Sequence, residues 1–360
     1  MKKIIVLFFV LLFQYVIVFA QFPKVEIPGS QVRKINSVIV NQEYELHILL
    51  PGGYNGSSKK YPVVYLMDSQ WDFPLVKSIY GQQYFDGFIP EMIIAGVTWG
   101  GEKPNADSLR ARDYTPTNEK QVIQSGGADK FLLFMKNELF PFMETNYKVD
   151  SNNRTLMGCS LGGLITLYTL FTQPDMFSGY AAASPATGWD KEVLYKYEKK
   201  FAEKKLTKPV KVYITEGDVE RERPGFEKFA AAMISRKYEN VKLVSKILEN
   251  TGHSGTKGET YSRGLQYIFE KPKLKPGDAL LNKYAGNYQL ANGNKVALKN
   301  ENGNLVLYFS AANKYILYAA CETDFYSTAV FLNIQFKINN GVVYGFQLNQ
   351  YGQSQFIKKQ

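Results

Sequence analysis

Apolar and polar residues alternate over 32–40 and again over 43–50, with Asn41-Gln42 between them. That period-two pattern predicts an antiparallel hairpin with one buried face. The next apolar runs, 62–67 and 92–97, are short and continuous, as expected of strands covered on both sides. Over 129–147, Phe131, Met135, Leu139 and Phe142 recur at helical spacing, and Pro141 is expected to kink or tighten that helix. A strand over 154–158 then leads into a helix over 161–172. Further strands are predicted over 177–183, 210–215 and 241–248, separated by helical patterns at 191–204 and 226–238 and closed by one at 259–269. Strands alternating with helices of this length imply right-handed crossovers and a mainly parallel sheet with helices on both faces, a three-layer α/β sandwich.

The pattern breaks at 271–278, where two prolines, a glycine and three lysines read as a linker. Beyond it no helix is evident. Segments 284–290, 295–298, 305–309, 315–319, 329–338 and 342–347 are rich in Tyr, Phe, Val and Ile, punctuated by Asn292-Gly293, Asn302-Gly303 and Asn340-Gly341. Many short strands joined by such turns predict a small antiparallel sandwich or barrel. The expected division is a leader over 1–20, an α/β domain over 21–270, a linker over 271–279 and a small all-β domain over 280–360.

The leader rests on Lys2-Lys3, a nearly unbroken apolar stretch over 4–19 and an exit through Val18-Phe19-Ala20. These are the marks of a secretory signal peptide cleaved after Ala20, which predicts a periplasmic or secreted protein without stable membrane insertion. The net charge of +10 is spread along the chain, as in Lys199-Lys200 and Lys204-Lys205, which describes a solvated cationic surface and not a nucleic-acid-binding face. Cys159 and Cys321 are the two cysteines, too few for a disulfide framework.

Chemistry enters at Gly158-Cys159-Ser160-Leu161-Gly162-Gly163, between a predicted strand and a predicted helix. A serine hydroxyl is a feeble nucleophile unless it is exposed beside a base and an oxyanion site. A tight strand-to-helix elbow flanked by glycines supplies that exposure, and the Leu161 N–H then faces the developing oxyanion. In an α/β hydrolase the nucleophile, acid and histidine follow in that order. Of the two histidines, His47 precedes Ser160, so His253 is the candidate base. The acid belongs after the strand over 210–215, where Glu216, Asp218 and Glu220 compete. Spacing from Gly217 selects Glu220, with Asp218 as runner-up. The loop Asp68-Ser69-Gln70-Trp71 is expected to offer the Gln70 N–H as a second oxyanion donor, with Trp71 facing substrate. Arg110 and Arg112, on a loop over 110–117, either pair locally, as Arg112 with Asp113, or meet a substrate carboxylate or catecholate.

Together, Tyr65-Leu66-Met67-Asp68, Arg112-Asp113-Tyr114-Thr115-Pro116-Thr117, Glu138-Leu139-Phe140-Pro141, the elbow, 217–220 and Gly252-His253 resemble the esterase family of enterobactin-type siderophore esterases, feruloyl and acetyl-xylan esterases, esterase D and mycolyltransferases. The resemblance implies an α/β hydrolase working as a serine carboxylic-ester hydrolase through an acyl-enzyme, with no metal or organic cofactor. The expected substrate is a siderophore lactone or an acyl or feruloyl ester of a polysaccharide. An acyltransferase and a non-catalytic ligand-binding homologue are the alternatives. Two positions depart from the family pattern: Glu where the acid is usually Asp, and Asp68-Ser69 where many hydrolases carry His-Gly. Residues 281–288 resemble the opening of a lipocalin-like module appended to exported hydrolases.

Overall fold

The predicted hairpin is present: β1 (Ser30–Ser37) pairs antiparallel with β2 (Gln42–Leu49), turning through Asn41 at φ 58°. The computed structural model describes residues 26–350 and 353–360. The expected leader over 1–20 lies outside the described residues. Strands β3 (Tyr61–Leu66), β4 (Ile93–Trp99), β5 (Val149–Cys159), β6 (Gly179–Ala183), β7 (Val210–Gly217) and β8 (Val241–Leu248) complete an 8-stranded sheet in the order β1-β2-β4-β3-β5-β6-β7-β8. From β4 to β8 every pairing is parallel, and β2 enters antiparallel to β4. This is the α/β-hydrolase sandwich. The central strands β4 and β6 are buried along their whole length, as continuous apolar runs between two helical layers must be.

Helix α1 (Ser69–Phe85) occupies a stretch whose beginning reads as a loop, because Ser, Gln and Asp open it and Pro74 interrupts it. Its buried face is Phe73, Val76 and Tyr80, spaced three, then four. Helix α2 (Ala106–Tyr114) likewise replaces the loop expected around Arg110 and Arg112; Asn105 caps it by accepting the Ser108 N–H at 3.1 Å. Helix α3 (Ala128–Phe134) continues through a π-helical turn (Met135–Leu139) into α4 (Phe140–Asn146). Pro141 was expected to kink or tighten this helix. The turn before it is widened instead, which makes room where the ring would clash with the carbonyl four residues earlier. Helices α5 (Leu161–Thr172), α6 (Leu194–Phe201), α7 (Arg223–Arg236) and α8 (Thr256–Ile268) complete the layers.

Contrary to expectation, the segment past the linker begins with a helix, α9 (Asp278–Tyr284). Eight strands follow, β9 (Gly286–Gln289), β10 (Lys295–Glu301), β11 (Asn304–Tyr308), β12 (Lys314–Ala319), β13 (Asp324–Ser327), β14 (Leu332–Asn339), β15 (Val342–Gln350) and β16 (Gln353–Lys359). Each pairs with its neighbour in sequence, and β16 returns to β9, closing an up-and-down barrel with no free edge. Aromatic side chains fill it: Tyr284 stacks on Phe336 at 3.7 Å, and Phe325, Phe346 and Tyr288 are buried around them.

The barrel meets the sandwich at one end. Tyr84 and Phe331 are edge to face at 5.6 Å, the Tyr326 hydroxyl donates to the Lys271 carbonyl at 3.1 Å, and the Leu274 N–H donates to the Ala319 carbonyl at 2.9 Å. Tyr84 lies in the last turn of α1, roughly 25 Å along its axis from Asp68 at the other end. The barrel therefore sits beneath the sheet, away from the C-terminal edge of the parallel strands.

Candidate active site

That C-terminal edge gathers the residues singled out by the sequence. Ser160 follows β5 directly and caps α5 with φ 60° and ψ −118°, a strained conformation between strand and helix. The chain holds it there by donating the Ser160 N–H to the Ala183 carbonyl at 3.0 Å and by accepting the Leu164 and Ala186 N–H groups on the Ser160 carbonyl. Glycine is required at 158: a Cβ there would lie 2.6 Å from the Gly162 backbone, so strand and helix can approach only without a side chain.

His253 lies in the connection from β8 to α8. Its carbonyl is 4.0 Å from Cys159 Sγ and accepts the Thr256 hydroxyl at 2.8 Å, which seats the histidine beside the elbow. Its Nδ1 is 2.6 Å from Glu220 Oε2. Glu220 is otherwise enclosed, with Oε1 accepting the Gly217 N–H at 2.9 Å and the Ser184 hydroxyl at 2.6 Å. The exposures differ in the useful sense: 8% for the Glu220 side chain and 52% for His253, an oriented imidazole with an open face.

The other two carboxylates do different things. Asp218 forms no hydrogen bond or ion pair with His253 among the described residues. It accepts the Thr251 N–H at 3.1 Å, and the Asn250 and Thr251 N–H groups hold its carboxyl below the usual range. Its work is to fold the loop that carries the histidine. Glu216 ends inside β7, and burial, with Glu220 nearby, pushes its pKa up to about 8. Its Oε2 is buried without a hydrogen-bond partner among the described residues.

Leu161 and Gln70 are the first residue of α5 and the second of α1. N–H groups of a first helical turn have no acceptor within their helix, and the positive ends of both dipoles converge there. The two turns are adjacent, because β3 and β5 are parallel neighbours and the Met67 N–H donates to the Met157 carbonyl at 2.8 Å. Asp68 stands between them at φ 54°, with Oδ2 3.1 Å from where a Cβ on Gly162 would be. Trp71, 50% exposed, borders this corner.

Arg110 pairs within the fold. It donates through Nε and Nη2 to both oxygens of buried Asp68, at 3.1 and 2.8 Å, and its guanidinium lies 5.5 Å from the Trp71 ring. Burial raises the Asp68 carboxyl pKa, and the opposing arginine charge keeps the pair ionic. Arg112 pairs with both oxygens of Asp113, which also accepts the Tyr44 hydroxyl and the Trp99 indole N–H, each at 2.7 Å. Both arginines thus pair with buried carboxylates.

Sequence reasoning missed Ser184, Thr256, Tyr114 and His47. Ser184 (φ 38°) and Thr256 bond each other at 2.7 Å and tie Glu220 to the His253 backbone. The signal for Ser184 was its place directly after an alanine-rich strand end. Tyr114 accepts the Asp68 N–H at 3.3 Å. His47, read as a plain strand residue, bonds Ser69 Oγ through Nδ1 at 2.8 Å and Glu45 through Nε2 at 3.1 Å, bracing the start of α1. Among the described residues no cluster of His, Cys, Asp and Glu has the arrangement of a metal site, and no helix is long and apolar enough to cross a membrane.

The model of the Putative esterase family matches residues 37–258, more than half of the chain and all of the corner just described. The chain belongs to this family. It is an ester hydrolase by that membership. It is 32% identical over 211 residues to ferri-bacillibactin esterase BesA of Bacillus subtilis (strain 168), covering 54% of this chain and 72% of that one. Against an endo-1,4-beta-xylanase/feruloyl esterase of Xylanibacter ruminicola it is 28% identical over 216 residues, 58% of this chain and 26% of the relative. Among solved structures, the BES protein from Bacillus cereus superposes with a TM-score of 0.62 at 26% identity, covering 69% of this chain and 98% of that one. The family match ends at residue 258, so the barrel is an addition to it.

Proposed function

We propose that this esterase is an exported serine carboxylic-ester hydrolase in which Ser160, His253 and Glu220 act as nucleophile, base and acid. Ser160 Oγ attacks the ester carbonyl carbon while its proton passes to His253 Nε2. The carbonyl oxygen becomes an oxyanion, stabilised by the N–H groups of Leu161 and Gln70. Collapse of the tetrahedral intermediate breaks the bond to the alcohol, which leaves with the proton from His253. Water then repeats the attack on the acyl-enzyme and releases the acid and free Ser160. Glu220 fixes the imidazole with its proton on Nδ1 and stabilises the imidazolium formed in both halves. The observation that carries this reading is the 2.6 Å contact between Glu220 and His253 beside a serine held at positive φ.

For the substrate we propose a siderophore lactone or a feruloyl-type ester of a polysaccharide, a reading supported by relatives named as a siderophore esterase and a feruloyl esterase. Export to the periplasm or medium rests on the basic, apolar and small-residue pattern of residues 1–20. The test is to assay purified mature protein against a panel of siderophore lactones, feruloyl and acetyl saccharides and simple aryl esters, beside Ser160→Ala. Turnover of at least one class, lost in the variant, is expected; equal turnover by the variant would overturn the assignment.

A further inference from the structure

The barrel and the sandwich do not close on each other completely. Between them lies a cleft of about 390 Å³, a volume suited to one or two sugar or aryl rings. It follows the outer half of α8, the linker and β13. Arg263, its nearest charged residue to the catalytic corner on that helix, is roughly 10 Å along the axis from Thr256. It is therefore separate from the ester-cleaving corner.

Its lining combines rings and four cations, of which Lys246 is paired with Glu259 at 3.1 Å. Tyr213, Tyr267 and Tyr326 contribute aromatic surface, with the Tyr213 and Tyr267 rings 6.0 Å apart. Lys271 is partly buried, and among the described residues its ammonium meets the Asn333 amide oxygen and the face of Tyr326, 5.1 Å away, with the Asp324 charge acting on it but forming no ion pair. Burial lowers its pKa. Arg263 donates to the neutral Gln266 at 2.7 Å, and Lys273 lies over the Tyr318 ring at 5.0 Å. No carboxylate bridges to any of these three cations among the described residues, although Asp86 and Glu270 also border the cleft. A partly desolvated ammonium with no carboxylate in direct contact is costly, and an arriving anion offsets part of that cost.

We infer that the cleft is a second binding site, for a carboxylate carried on a six-membered ring or on a short arm from it. The ring packs against the tyrosines, and the carboxylate takes the free donors of Lys271 and Arg263. Two sources share this chemistry, an acidic saccharide and an aryl carboxylate. The site works without Ser160 and stands or falls apart from the catalytic assignment.

The test is calorimetric titration of the full mature chain with digalacturonate and with ferulate, beside the uncharged xylobiose and ferulate methyl ester, the ester being titrated into Ser160→Ala. One of the acids is expected to bind and its neutral counterpart to bind at least tenfold more weakly. Lys271→Met and Arg263→Ala are each expected to weaken the acid about tenfold while ester turnover stays unchanged. The acid that binds identifies the source. Lys271→Met keeps the length and apolar stem of the side chain; if its melting curve shows misfolding, Arg263→Ala, on an exposed position, decides alone. Absence of binding by both acids, or affinity that both variants leave intact, overturns the site.

Discussion

In the sandwich, Asp68, Ser160 and Ser184 all hold positive φ, each at or just past the end of a central strand. Among the described residues of the barrel, the non-glycine residues in that region are Asn302 and Asn340, each followed by a glycine at positive φ in a two-residue hairpin. The same backbone region thus serves opposite ends. Asn-Gly pairs adopt it readily and let strands close into a barrel. Serine and aspartate adopt it only under constraint, at about 1–3 kcal/mol each, and here the constraint falls where α1 and α5 begin. The sandwich spends stability on a poised edge; the barrel, filled by stacked aromatics and without an open edge, does not. Activity and stability should then separate when the two regions are changed independently.

The largest effect is expected at the imidazole. His253→Ala should lower kcat for any ester turned over by about 10⁴-fold or more, with the melting temperature nearly unmoved because the ring is half exposed. Next comes a contrast between neighbouring carboxylates. Glu220→Gln should cost about 10²–10⁴-fold in kcat, since the amide no longer stabilises imidazolium, whereas Asp218→Asn should cost less than about tenfold. Steady-state assays of the two variants side by side would show it, and the reverse order would move the acid to Asp218.

The barrel should answer in the other currency. Phe336→Ala removes the partner that Tyr284 stacks on and leaves a cavity, destabilising the chain by about 3–5 kcal/mol in chemical denaturation. The kcat of the folded fraction should not change. A loss of kcat there would mean that the barrel reaches the catalytic edge after all.

The smallest expected effect concerns Glu216. Its folded pKa, about 8, lies above its unfolded value, so the folded state holds a proton that the unfolded state releases. Stability contributed by the protonated group is present at low pH and is lost as pH rises through this window toward 8. Glu216→Gln should therefore raise the melting temperature by a few degrees at pH 8, and the gain should shrink toward pH 5.

Much of this architecture was legible because the code is local. Helix α5 and strand β8 were read with their bounds, since a continuous apolar run or a strong periodicity announces each. The beginning of α1 was hidden by Pro74 and by polar residues that serve the corner instead of the core. Strands β13 and β16 escaped notice for another reason: Asp-Phe-Tyr-Ser is four residues long, and Gln353–Lys359 is mostly polar, so pairing around a closed barrel makes them strands. At the site, Ser160 stands in a short motif and His253 is one of two histidines. What could not be read were contacts between distant segments: Arg110 with Asp68, 42 residues away, and Ser184 with Thr256, 72 residues away. An arginine without its partner in view reads as a free cation.

The most direct measurement is to treat the folded mature protein with a fluorophosphonate and locate the adduct by peptide mass spectrometry. The account predicts one modification, on Ser160, that appears in step with loss of ester hydrolysis and is absent from Ser160→Ala. An adduct on another residue with activity lost, or hydrolysis that persists after Ser160 is fully modified, would contradict it.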